Sequence, residues 1–66
     1  HENADFYSAI RICKKRRIGP YRPEANKEIF YKKDMGVLAR SGFSYDLSKD
    51  VLALDQKQLK IYEKKL

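Results

Sequence analysis

The sequence predicts an all-α fold. Apolar residues recur at helical spacing in successive segments, stop and cap residues fall between those segments, and no stretch alternates apolar and polar as a strand would. Asn3 or Asp5 can cap a first helix in which Phe6, Ala9, Ile10 and Cys13 fall at i, i+3, i+4 and i+7, one stripe facing a core. Arg11, Lys14 and Lys15 project from the opposite side. Basic residues gather at the C-terminal end, where the helix dipole favours them, and Gly19-Pro20 stops the run. Ile18 is expected to fold back onto the body. Tyr21-Arg22-Pro23 reads as an extended corner, because a residue before proline is pushed out of the α region.

Pro23 or Glu24 starts a second helix that runs to about Arg40, with Tyr31, Met35, Leu38 and Ala39 sharing a face and Ile29 and Phe30 widening the buried arc. Gly36 lies inside this run at a cost of about 1 kcal/mol relative to Ala, which points to close helix contact there. Ser41-Gly42 ends the helix with glycine where a positive φ is wanted, and Phe43 plugs the corner. Ser44 caps a third helix carrying Leu47, Val51 and Leu54, with Asp46 complementing its first turn. Asp55 and Gln58 have capping-box spacing, and Leu59, Tyr62 and Leu66 suggest a fourth helix or a frayed extension. The expected architecture is a three-helix repeat module with an optional short fourth helix at the C-terminus.

At 66 residues the chain holds one domain, so residues 1–66 are read as a single helical module. A core of this size supplies only about 3 to 5 kcal/mol of net stability. Cys13 is the single cysteine and His1 the single histidine, which excludes an internal disulfide framework and a soft-ligand zinc site. No uncharged stretch approaches the roughly 20 residues of a membrane span, so a cytoplasmic, reducing compartment is expected. The chain opens on His1 and its one methionine is Met35, which suggests a C-terminal fragment of a longer tandem-repeat protein whose neighbouring modules add the missing stability.

Lys and Arg total 15 against 9 Asp and Glu, for a net charge of +6. Residues 1–22 hold six basic and two acidic residues, whereas each of the two following thirds nets only +1. The field therefore belongs to Arg11, Lys14, Lys15, Arg16, Arg17 and Arg22, which suits a polyanionic partner or an acidic protein surface, or else a solvated face that keeps a small protein soluble. No combination of Ser, His and Asp, no phosphate-cradling glycine loop and no histidine pair is present, so neither catalysis nor a cofactor, metal or small-molecule substrate is expected. Asp46 and Asp50 share a helix face beside Lys49 with nothing apolar to raise a carboxyl pKa, and read as solvated. Cys13 on the apolar stripe reads as core, not as a reactive thiol.

Two helices meeting at a glycine turn have the outline of a helix-turn-helix. The would-be recognition helix opens Tyr45-Asp46-Leu47-Ser48-Lys49-Asp50, however, with two acids against one base, the wrong charge for a major groove. The tyrosines read mainly as core area with polar tips. Tyr21, between Arg17 and Arg22, is the candidate for an aromatic contact.

Two stretches then look familiar. The run Lys14-Lys15-Arg16-Arg17-Ile18-Gly19-Pro20-Tyr21-Arg22, followed by Lys33-Asp34-Met35-Gly36-Val37-Leu38-Ala39-Arg40-Ser41-Gly42-Phe43-Ser44-Tyr45-Asp46-Leu47-Ser48-Lys49-Asp50-Val51-Leu52, resembles the C-terminal part of regulatory proteins of the RecX family. There a basic helix ends in a Gly-Pro corner, a second ends in a small residue plus Gly, and an aromatic-Ser pair opens the third. The likeness spans roughly Asp5 to Asp55 and nothing beyond. It implies tandem three-helix repeats in an elongated bacterial cytoplasmic protein that binds RecA recombinase, chiefly the RecA–DNA filament, and restrains its ATPase, strand-exchange and co-protease activities in recombination and SOS repair. By position, Arg11, Lys14, Lys15, Arg16, Arg17 and Arg22 would face the filament or its DNA, while Gly19, Pro20, Gly42, Phe43 and Ser44 would be structural. The alternative is a small basic helical domain that binds DNA without RecA.

Overall fold

The computed structural model describes residues 3–66, and within them the fold is all-α. His1, the single histidine, lies outside the described residues. Helix α1 (Ala4–Arg16) begins where the Asn3 side chain accepts the Phe6 amide at 2.8 Å, and it buries Phe6, Ala9, Ile10 and Cys13. Its end is made by Arg17 in the left-handed conformation (φ 57°), followed by the Ile18 amide reaching back 3.0 Å to the Cys13 carbonyl. This satisfies carbonyls that a helix terminus otherwise leaves open. Ile18 turns inward to 7% exposure, and a single 3₁₀ turn, Gly19–Tyr21, brings the chain round to Arg22.

The second helix is not continuous. A short α2 (Glu24–Lys27) with no buried residue is followed by a turn through Phe30, whose backbone (φ −100°, ψ 9°) leaves the helical region, and then by α3 (Tyr31–Arg40). The buried face of α3 is Asp34, Val37 and Leu38 with Met35 packed part-buried on the core, so Leu38 and Met35 follow the expected apolar stripe, whereas Tyr31 and Ala39 are exposed and Ile29 is 73% exposed. Helix α3 sets the Asp34 carboxylate against the Gly19 amide and the Arg22 guanidinium. Gly36 does not mark close helix contact either, since a Cβ there would meet only the Arg40 guanidinium, at 3.5 Å.

Gly42 (φ 95°) reverses the chain, Phe43 packs half-buried against the core, and the Ser44 hydroxyl accepts the Leu47 amide at 3.2 Å to open α4 (Tyr45–Leu52). Leu47, Val51, Leu52 and the following Leu54 are all buried. Helix α3 packs on α4, and α4 lies against α1 and the 3₁₀ turn. The capping box is complete: Asp55 accepts the Gln58 amide at 2.8 Å while Gln58 accepts the Asp55 amide at 3.0 Å, opening α5 (Gln56–Glu63). This helix is docked, not frayed. Leu59 is 2% exposed, and the Tyr62 ring lies 5.1 Å from Phe6 and 5.8 Å from Tyr7, although Leu66 beyond it stays exposed. Among the described residues no helix is long and apolar enough to cross a membrane.

Candidate functional site

The basic run, the Gly-Pro corner and α3 meet at one carboxylate. Asp34 is 1% exposed, and burying a lone charge is costly unless donors surround it. Its Oδ2 accepts the Gly19 amide at 2.8 Å and Arg22 Nε at 2.8 Å, and its Oδ1 accepts Arg22 Nη2 at 2.9 Å. The fork is bidentate, the geometry for which arginine is suited and lysine is not. The Arg22 guanidinium also sits 4.1 Å over the Phe30 ring, and its pKa is raised chiefly by the Asp34 hydrogen bond. Arg22 therefore does not join the exposed basic face assigned to it from sequence: it closes the corner from inside.

The remaining basic residues divide in two. Lys14 lies 3.5 Å from Glu63, and Tyr21 donates its hydroxyl to the same carboxylate at 2.9 Å, so α5 braces the corner. Burial, then the Glu63 hydrogen bond, push the Tyr21 hydroxyl pKa up. Its half-buried ring packs on the core and makes Tyr21 a strut. Arg11, Lys15, Arg16 and Arg17 are exposed. Arg17 holds the one positive φ among the described residues that is not glycine. With Lys14, which is itself exposed, these side chains are spread along the C-terminal half of α1 and its cap, and the Asp34 clasp holds the corner that follows them.

The structural corners assigned from sequence lie where turns need them. Gly19 (φ 58°) is buried, and a Cβ on it would stand 2.5 Å from the Leu52 side chain and 3.5 Å from Cys13 Sγ. Pro20 is buried beside it, while Gly42, Phe43 and Ser44 form the turn between α3 and α4 at a distance in sequence from the basic cluster. Cys13 is fully buried and its thiol is pushed up to about 12 by desolvation, with the Asp34 charge adding to it, so it is a poor nucleophile. No group of three or more His, Cys, Asp or Glu side chains among the described residues could hold a metal.

Asp34 is the residue that sequence reasoning missed. A signal was present: an acid three and four residues before Val37 and Leu38, on the face that must be apolar, demands a buried partner, and the nearest arginine upstream is Arg22.

A curated protein of Myxococcus xanthus (strain DK1622), the "Regulatory protein RecX", is 36% identical over 53 residues, which cover 79% of this chain and 28% of that protein. The chain thus spans under a third of the length of the relative it matches. No family model matches the chain. No solved structure matches it.

Proposed function

The chain is RecX-like over most of its length, and on that premise we propose that it is a module that binds RecA recombinase and its filament on DNA, restraining ATPase, strand exchange and co-protease activity in bacterial recombination and SOS repair. The observation that supports this reading is the exposed basic run Arg11, Lys15, Arg16 and Arg17, which leads into the corner that Asp34 clasps through Gly19 and Arg22. A cationic surface suits a filament that presents both acidic protein patches and phosphates. On this reading the module works by binding. Its setting is the bacterial cytoplasm.

The test is equilibrium binding of the chain to RecA assembled on single-stranded DNA with a slowly hydrolysed nucleotide, beside the same DNA without RecA, at low and physiological salt. The expected result is tighter binding to the filament that survives physiological salt, and a drop of roughly tenfold or more when Lys15, Arg16 and Arg17 are reversed to glutamate. Equal binding to bare DNA, lost steeply with salt through counterion release, would instead describe a phosphate binder that acts without RecA.

A further inference from the structure

Residues 11–17 and 56–66 together hold nine of the fifteen cations and one of the nine acids, Glu63. The rest of the chain carries six cations against eight acids, so the net charge of +6 is the balance of two opposed parts. The two positive segments are distant in sequence and meet in the fold. Tyr62 packs on Phe6 and Tyr7 near the start of α1, while Glu63 accepts the Tyr21 hydroxyl and lies 3.5 Å from Lys14 near the end of that helix. Lys57, Lys60 and Lys64 follow one another at i, i+3 and i+7 on α5 and its cap, all three exposed, and Lys60 stands one turn from Glu63. Seven helical residues rise about 10 Å, close to the screening length of about 8 Å at physiological salt, so this stripe and the cations of α1 add to one field.

The chemistry of the occupant follows from what this surface lacks. Among the described residues α1 exposes no large apolar side chain, and α5 with its tail exposes only Ile61 and Leu66. That is too little for the buried anchor of a protein interface or for insertion into lipid. A partner met through charge alone is left, and a phosphodiester backbone is such a partner. We propose that α1 and α5 form one two-helix surface for the phosphate backbone of DNA, in which Lys60 and Lys64 contact phosphates beside those met by Arg11, Lys15, Arg16 and Arg17. The inference rests on the filament reading for its setting, since it assigns the DNA of the filament to this face, but the contact itself is tested without RecA.

A short fluorescein-labelled oligothymidylate is titrated with the full chain and read by polarisation along a series from low to physiological salt. The expected result is saturable binding whose logarithm falls linearly with the logarithm of salt, with a slope shallower by about 0.7 for each lysine removed in Lys60→Gln/Lys64→Gln. Arg40→Gln/Lys49→Gln removes the same charge from exposed positions on α3 and α4 and should leave the slope unchanged. All four positions are exposed, and circular dichroism checks that each variant keeps its fold. Backbone amide shifts on adding the oligonucleotide should move along residues 11–17 and 57–64 together. An unchanged slope in Lys60→Gln/Lys64→Gln, shifts confined to one of the two helices, no binding of oligothymidylate, or tighter binding to phosphatidylserine vesicles would each overturn the proposal. Loss of the preference for RecA filaments with the slope change retained would refute the filament reading and uphold this one.

Discussion

At the scale of single residues, the corner depends on the pairing of Asp34 with Arg22. Removing one partner of a buried ion pair leaves the other uncompensated, which costs about 3 to 5 kcal/mol, comparable with all the net stability a core of this size supplies. Arg22→Ala, which leaves the buried Asp34 carboxylate without its cation, is therefore expected to leave the chain largely unfolded in water, and Asp34→Ala, which frees a partly exposed guanidinium, to cost less; urea titration followed by circular dichroism would measure both. Arg22→Lys should lie between Arg22→Ala and the native protein, since an ammonium reaches one carboxylate oxygen but cannot fork both. Loss of less than about 1 kcal/mol in Asp34→Ala would show the clasp to be decoration. The opposed fates of Arg22 and Arg17 were not legible in a count of charges, because both belong to one basic run. What separates them is an acid twelve residues beyond Arg22, and that pairing exists only once the chain has turned at Gly19.

At the scale of elements, α1, α4 and α5 were legible because each has its own side-chain cap in Asn3, Ser44 and Asp55. The apolar spacing in each also matches the buried face. The segment from Glu24 to Arg40 was not, because its helical periodicity continues through a break that no proline or glycine marks. Gly36 and Gly19 should behave oppositely when substituted. Gly36→Ala removes backbone freedom from a helix interior and meets only the end of a flexible arginine, so a gain of about 0.5 to 1 kcal/mol is expected. Gly19→Ala forces a side chain into the left-handed region and against Leu52, and should cost about 2 kcal/mol or more. Thermal melts of the two variants would read both signs, and destabilisation by Gly36→Ala would revive the close-contact reading of that position.

At the scale of the whole molecule, stability should weaken in alkali. Cys13 ordinarily ionises at 9.0 and is held protonated to about 12 in the fold, and Tyr21 is raised in the same sense. The folded state then binds more protons than the unfolded state above pH 9, so the contribution is complete below that value and is lost as pH rises toward 12. Cys13→Ser should flatten part of this decline, and denaturation midpoints measured from pH 7 to pH 11 would show it. A profile identical in the two proteins would mean that the thiol is not the titrating group. The overall helical class and the membership of most of the core could be read in advance, since both rest on spacing within segments. The joint basic surface of α1 and α5 could not, because its two halves meet only where Tyr62 and Glu63 dock on α1.

The brace from Glu63 to Tyr21, spanning 42 positions, bears on the order of synthesis. A ribosome makes the basic corner early and α5 late, so a nascent chain carries the charges of Lys15, Arg16 and Arg17 on a turn that still lacks its outer support.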